Sequence, residues 1–384
     1  MKGRIRINAR LLKTANGEQL WAENFDQSAS EIFALQDAIS NKITQTLAFE
    51  LKKSELEQLT SRPTKNAEAY EKYLRGRFYQ SQNTEQGLTR SIEFYEQAIA
   101  LDTNFAEPYA GIADANLLLY NFSLRSPNEI IPQVKQNLKR ALMLNPNLSQ
   151  AYLTQAQLEF LYEHNSEKAE KSYQKVIELS PNNADAFLRF GYFLTFLGRF
   201  DEALNKLEKS RQLNPVSSFV QSDIALVYLC RRDYLVAIEQ LTKTISENPE
   251  LSIPHWFLAA SYEGIGETEK AFSENILALK LEGGDELAER LKVIKATNGE
   301  QIAYQTWFDE LQKLKKSGFV SSIQLATIAA ILKNREQTLD WLENAERENE
   351  ASLWQIKYVS RYDFLRDETR FKEILKKIDS PPNH

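Results

Sequence analysis

Small residues and helix breakers recur along the chain at a fixed interval of 34 positions. One series consists of alanines, a second of prolines that ends in a glycine, and a third of small residues in a different phase. Their members are Ala169, Ala203, Ala237 and Ala271; Pro181, Pro215, Pro249 and Gly283; and Gly191, Ala225 and Ala259. A period of 34 that contains two recurrent positions for small residues and one for a helix-breaking residue predicts an array of stacked helical hairpins.

The repeats between residues 184 and 283 each contain two predicted helices with complementary small and bulky positions. In the first helix of each repeat, a bulky residue directly precedes the small residue; the bulky residues are Phe190, Ile224 and Leu258. In the second helix, a larger side chain follows the recurrent alanine by four positions; these side chains are Leu207, Leu241 and Asn275. Helices approach closely only where one side chain at the crossing is small. Pro215 and Pro249 are expected to end the second helices, since proline lacks a backbone donor.

The N-terminal region follows a different pattern. Residues 4–11 alternate between polar and apolar side chains, which predicts a half-buried strand. The Asn-Gly pair at 16–17 predicts a hairpin turn, and a return strand is expected over 20–24. A capping box then predicts a helix over 28–51. Because an isolated hairpin is marginal in water, residues 1–62 are expected to belong to a larger α/β unit or to lean on the array.

Composition narrows the classes of function. The chain has 384 residues, 42% of them hydrophobic, and its net charge of −6 offers no basic face for nucleic acid. Cys230 is the single cysteine, so no internal disulfide is expected. No apolar run approaches the roughly 20 residues that span a bilayer, so no membrane insertion is expected. A cytoplasmic location is expected, with the periplasm as the alternative for a parent protein that has an upstream membrane helix.

The repeat pattern resembles the tetratricopeptide repeat (TPR) family. The residues that carry the resemblance most clearly are Phe187, Phe190, Gly191, Leu194, Phe200, Ala203, Leu207 and Pro215. Weaker copies extend it over about 67–350. The resemblance implies an all-α fold, a right-handed TPR superhelix or α-solenoid, preceded by a β-hairpin and helix that remain from a small α/β domain.

The ends of the chain resemble a narrower group. Residues 4–12 and 16–25, and the segment 362–375 near the C-terminus, are similar to the C-terminal repeat region of bacterial CadC-like regulators. In those proteins an adenylate-cyclase or winged-helix effector domain comes first, and no such domain is recognised here. The implied organisation is a partial α/β unit, a TPR array, an irregular helical pair with a further repeat, and capping helices. Their predicted boundaries are 1–62, 67–283, 284–350 and 351–384.

Motifs that could carry chemistry are better explained as structure. The run Gly283-Gly284-Asp285-Glu286-Leu287 resembles the diguanylate cyclase signature, but it lies between two predicted helices, so a turn with Asp285 as N-cap is favoured. The three histidines have no partner at metal-ligand spacing. Cys230 is expected to fill space in the core. We therefore expect no cofactor, no metal, no catalytic residue and no enzyme activity.

The first helices of such repeats line the concave side, which these arrays use for extended ligands. Seven apolar or aromatic residues fall at the phases that point there: Leu188, Tyr192, Phe219, Leu226, Leu229, Ile253 and Trp256. They predict a groove that binds an apolar or helical segment of a partner protein. Packing of these side chains inside the protein is the competing interpretation. A second function class is the sensory region of a bacterial signalling or transcription regulator, including self-association into a homodimer.

Overall fold

The computed structural model describes most of the chain, and its described residues fall into two compact units. The described ranges are 4–12, 18–28, 38–39, 42, 63–122, 124–318 and 320–378. Unit 1 comprises the residues up to 116 together with 133–151. Unit 2 comprises 117–132 and the residues from 152 onward.

A two-stranded antiparallel hairpin opens unit 1. Its strands are β1 (Arg4–Leu12) and β2 (Gln19–Ser28). The alternation in β1 is confirmed, because Ile7 and Leu11 are half-buried and Arg6 is exposed. Their partners across the hairpin are Phe25 and Trp21, so the aromatic residues of the return strand share the half-buried face. The predicted turn at 16–17 lies outside the described residues, as does the predicted helix over 28–51 apart from residues 28, 38, 39 and 42, of which residue 28 is the last of β2.

Helices make up the rest of the described chain. In order they are α1 (Ala67–Gln80), α2 (Glu85–Leu101), α3 (Ala106–Asn121), α4 (Pro127–Leu144), α5 (Ser149–Leu161), α6 (Ser166–Leu179), α7 (Ala184–Phe196), α8 (Phe200–Leu213), α9 (Ser218–Arg231), α10 (Tyr234–Glu247), α11 (Ser252–Gly264), α12 (Thr268–Leu281), α13 (Asp285–Asn298), α14 (Glu300–Ser317), α15 (Ser322–Ile331), α16 (Arg335–Arg347) and α17 (Thr369–Ile378). Among these described helices, none is both long and apolar enough to cross a membrane.

Tyr95 organises the helix pair at the start of the array in unit 1. A Cβ atom added to Gly76 would lie 2.5 Å from its ring, and one added to Gly111 would lie 2.7 Å away. The Tyr95 hydroxyl donates a hydrogen bond of 2.5 Å to Oε1 of Gln80. Two glycines therefore make room for one buried tyrosine, which is the small-against-large packing that the repeat pattern predicts.

The same packing rule holds in the regular repeats of unit 2. A Cβ atom at Gly191 on α7 would lie 2.6 Å from the Leu207 side chain on α8, so only glycine fits at this crossing. Helices α8 and α10 end at Leu213 and Glu247, two residues before Pro215 and Pro249. The predicted helix ends are therefore confirmed.

The residues after α16 form no repeat. They form two short 3₁₀ helices, Ala351–Lys357 and Ser360–Leu365, and then α17. We call residues 351–365 the 3₁₀ segment. Its apolar side chains belong to the same core cluster as residues of α7, α9, α11, α15 and α16. This segment is therefore part of the interior of unit 2, and a second cluster under α5–α9 and a third under α12–α15 flank that core.

Candidate functional site

Three successive first helices, α7, α9 and α11, pack against one another in unit 2, and we call them the inner layer. All seven residues of the predicted groove lie on these helices. The repeat interval brings equivalent positions of neighbouring helices side by side. The structure nevertheless divides the seven residues into two groups, because the two halves of each helix have different surroundings.

The C-terminal halves of the inner-layer helices are covered by the chain itself. Leu226 and Leu229 are 2% and 1% exposed, in a core that also contains Trp354 and Ile356. The prediction that these two leucines line an open groove is therefore wrong. Both leucines share their core with the 3₁₀ segment, which covers this face of α9.

Trp354 joins the 3₁₀ segment to α7 through aromatic contacts. Its ring centroid lies 3.5 Å from that of Phe196 and 6.1 Å from that of Tyr192. The hydroxyl of Tyr358 also donates a hydrogen bond of 2.7 Å to the backbone carbonyl of Phe196. Tyr192, another residue of the predicted groove, is thus half-buried beside Trp354 at the edge of the covered region.

Two ion pairs hold the second part of the 3₁₀ segment against the inner layer. Nε of Arg361 lies 3.0 Å from Oε2 of Glu263, and both side chains are largely buried. Burial raises the pKa of Glu263, and the positive charge of Arg361 opposes that shift. Nearer the surface, Arg232 donates two hydrogen bonds of 2.8 and 2.7 Å to the carboxylate of Asp363. The segment therefore has one buried and one exposed charged anchor.

The turn before the 3₁₀ segment is also tied to the fold. The carboxylate of Glu350 accepts hydrogen bonds from the backbone N–H groups of Ser322 and Ile323 at the start of α15. Burial raises the pKa of Glu350 to about 7 despite these hydrogen bonds. The side chain of Asn349 donates to the carbonyl of Tyr162 at 3.0 Å and lies 2.6 Å from Nε2 of His164.

The N-terminal halves of the inner-layer helices remain outside that core. Leu188, Phe219, Ile253 and Trp256 are each half-buried, and we call these four residues the open strip. None of the four belongs to the described cluster that contains the 3₁₀ segment, whereas Leu188 packs against the cluster under α5–α9 and Trp256 against the cluster under α12–α15. The indole Nε1 of Trp256 donates a hydrogen bond of 2.7 Å to Glu282, which fixes its orientation.

Asp223 lies beside the open strip on α9. It follows Phe219 by one helical turn and precedes Leu226 by another, so the three side chains share a face. Asp223 is half-buried, and burial raises the pKa of its carboxyl to about 8. Its charge also contributes to the raised pKa of Tyr192 on α7, which is due first to burial. Within the described residues, no hydrogen bond or ion pair engages this carboxylate.

The remaining candidates for chemistry have structural partners. Nδ1 of His255 lies 2.6 Å from the carboxylate of Glu274. Cys230 is buried, which raises the pKa of its thiol. Helix α13 begins at Asp285 with Gly284 as its N-cap, so the predicted N-cap was wrong by one residue. In the ranges that the structure describes, no group of three or more histidine, cysteine or acidic residues could hold a metal ion.

One small cavity lies beside the 3₁₀ segment. Its volume is about 40 Å³, and Phe160, His164, Phe196, Glu350 and Trp354 are among its lining residues. A cavity of this size accommodates a water molecule or two rather than an organic ligand. The open strip and Asp223 are therefore the better candidate site.

Sequence reasoning overlooked the 3₁₀ segment as part of the site. Its buried residues are Ala351, Leu353, Trp354, Ile356, Val359, Arg361, Tyr362 and Leu365. The concentration of apolar side chains in a stretch without the period of 34 was an available signal of burial, since such residues need a core to pack in. The location of that core required the structure.

Comparison with protein families agrees with the fold. Models described as tetratricopeptide repeat match residues 147–183 and 172–205. The helical-hairpin array and these matches show that residues 147–205 contain tetratricopeptide repeats, and the other described helical hairpins resemble them.

Two curated proteins are similar to parts of the chain. "Putative adenylate cyclase 3" of Rhizobium meliloti (strain 1021) is 39% identical over 74 residues, which are 19% of this chain and 13% of that protein. "Anaphase-promoting complex subunit 3" of Schizosaccharomyces pombe is 27% identical over 143 residues, 36% of this chain and 20% of that protein. The matches thus span a fifth or less of each relative. The first agrees with the resemblance to cyclase-bearing regulators.

A solved structure shows the same architecture. The human IFIT1 dimer with m7Gppp-AAAA superposes with a TM-score of 0.50 at 18% sequence identity, over 83% of this chain and 78% of that one. At this identity the similarity shows the fold alone. It supports the assignment of the described helices to a TPR solenoid.

Proposed function

We propose that this protein is a non-catalytic scaffold that binds a segment of a partner protein along the open strip. The observation that carries the proposal is the row of half-buried apolar side chains on three consecutive helices, Leu188, Phe219, Ile253 and Trp256. TPR arrays commonly present such rows to extended ligands. Apolar and aromatic side chains that remain accessible together contribute much of the binding energy at interfaces.

The 3₁₀ segment supports this proposal. It is a short, non-repeat stretch of polypeptide that packs on the same three helices, with Trp354 and Tyr362 buried in the shared core. The inner layer therefore already accommodates one peptide-like segment on its C-terminal half. An external segment bound to the N-terminal half would use the same helix faces and the same kind of aromatic and aliphatic contacts.

The experiment uses random linear peptides displayed on phage and selected on the intact chain. Selected peptides are synthesised, and their affinities are measured for the wild type and for the double variant Phe219→Ser, Ile253→Ser. The matched control is Leu235→Ser on α10, where the leucine is 73% exposed. We expect the double variant to bind at least about tenfold more weakly, a loss of about 1.4 kcal/mol, and the control to bind as the wild type does.

Folding of both variants is checked by circular dichroism and urea denaturation before affinities are compared. Peptides that bind the folded double variant as tightly as the wild type would show that the open strip is not the binding site.

A second candidate is the sensory region of a signalling protein that self-associates, and the partial match to "Putative adenylate cyclase 3" favours it. Light scattering on the purified chain distinguishes this candidate from a monomeric scaffold. A self-associating sensor is expected at twice the mass of the chain over a range of concentrations. A mass of one chain throughout would exclude self-association.

A further inference from the structure

We propose that the partner segment carries a lysine or arginine side chain among its apolar residues, and that this cation binds the carboxylate of Asp223. The inference rests on the proposed function, because it assigns the chemistry of the partner that the open strip binds. Asp223 stands between Phe219 and Leu226, at the border of the open strip and the covered half of α9. A segment on the strip would therefore pass next to this carboxylate.

No positively charged side chain on the described inner-layer helices forms an ion pair with Asp223. The residue at the same repeat phase on α7 is Arg189, whose Nε lies 3.0 Å from Oδ2 of Asp185 and which also donates to Oε1 of Gln157. The residue at that phase on α11 is Phe257, which packs in the core. Asp223 thus has an apolar neighbour on one side and an already paired arginine on the other.

The energetics of Asp223 favour a cationic ligand. Taking a carboxylate out of water without a partner destabilises its charged form, and burial raises the pKa of Asp223 to about 8 for this reason. A cation delivered by a partner would restore the missing interaction in a site that solvent screens weakly. Hydrogen bonds between oppositely charged groups are roughly twice as strong as neutral ones.

The surroundings of the open strip have the complementary charge for such a partner. Asp185 at the start of α7 and Glu282 beside Trp256 add carboxylates near its two ends, and the chain as a whole carries a net charge of −6. Electrostatic complementarity of this kind selects partners by charge. A basic, apolar segment matches both the strip and its acidic border, whereas an acidic segment or a second copy of this acidic chain matches the strip alone.

The test extends the peptide selection. Peptides selected on the wild type are aligned, and peptides that match the consensus of the alignment are synthesised. Each is made in two forms, one with its lysine or arginine and one with norleucine at that position. Affinities are measured for the wild type, for Asp223→Asn and for the control Asp201→Asn. Asp201 lies on α8, its side chain is 95% exposed, and it pairs with Arg231 at the C-terminal end of α9, so the control removes an exposed carboxylate that does not belong to the open strip.

We expect a recurrent lysine or arginine in the selected peptides. The affinity of the basic peptide should fall at least about tenfold in Asp223→Asn and stay unchanged in Asp201→Asn. The norleucine peptide should bind both the wild type and Asp223→Asn with the same reduced affinity.

Other results overturn the inference in distinguishable ways. Selected peptides without a basic position, or equal affinities for the wild type and Asp223→Asn, contradict the role of Asp223. If Phe219→Ser, Ile253→Ser still abolishes binding in that case, the proposed function stands without this inference. If neither variant alters binding, both are wrong.

Discussion

At the scale of single residues, Asp223 carries a carboxyl group whose charged form is disfavoured by burial in the inner layer. Its carboxyl is half-buried beside apolar side chains and has a pKa of about 8. A group whose pKa is strongly shifted by burial is a candidate for a functional site, and we propose that Asp223 binds a cation of the partner. Replacing Asp223 is therefore expected to change stability and affinity in opposite directions, which a purely structural residue would not do.

The pH dependence of stability follows from the raised pKa of Asp223. The folded protein holds the proton up to a pH of about 8, whereas the unfolded chain releases it near pH 4. The folded state thus binds more protons between these values, and the free energy of unfolding falls as pH rises from about 4 to about 8. Asp223→Asn removes this loss, so the free energy of unfolding of the variant should exceed that of the wild type by a margin that grows between these pH values to as much as about 5 kcal/mol, at about 1.4 kcal/mol per pKa unit.

Urea denaturation at several pH values between 4 and 9 measures this margin. The control Asp201→Asn, at an exposed position, should show no comparable growth of the difference. A difference between Asp223→Asn and the wild type that stays constant across the range would contradict the assigned pKa.

At the scale of elements, the 3₁₀ segment shows how buried and exposed ion pairs differ. Arg361 pairs with Glu263 in the interior, and Arg232 pairs with Asp363 near the surface. Both pairs join the segment to the inner layer at similar distances. Burial decides their contributions, because an exposed pair is screened by water whereas a broken buried pair leaves an uncompensated charge.

We expect Arg361→Met to lower the free energy of unfolding by about 3 kcal/mol, since the Glu263 carboxylate would remain buried without its cation. The matched variant Arg232→Met should lower it by less than about 1 kcal/mol. Denaturant unfolding of the two variants against the wild type gives both values. Equal losses for the two variants would show that the 3₁₀ segment is not held as the structure indicates.

The elements also show how far the sequence predicts the fold. The period of 34 correctly predicts the small crossing residue Gly191 and the ends of α8 and α10. The covering of Leu226 and Leu229 could not be predicted in the same way. It depends on contacts such as that of Trp354 with Phe196, which join residues far apart in sequence and follow no repeat. Periodicity reports the face on which a side chain lies, and the structure reports what covers that face.

At the scale of the whole molecule, the inner layer of unit 2 is divided into two regions. The chain's own 3₁₀ segment packs with the C-terminal halves of α7, α9 and α11 in one core, whereas the four residues of the open strip on their N-terminal halves lie outside that core. Our proposal assigns the binding of a partner to the second region only.

Site-specific photo-crosslinking tests that division most directly. A benzophenone amino acid is placed at Phe219 in the open strip or, as a control, at Leu235 on α10, and each protein is irradiated with a peptide selected on the wild type. The account predicts a crosslinked adduct from position 219 and none from position 235, with the attachment site mapped by mass spectrometry. Adducts from position 235 alone, or none from 219 under conditions where the peptide is bound, would contradict it.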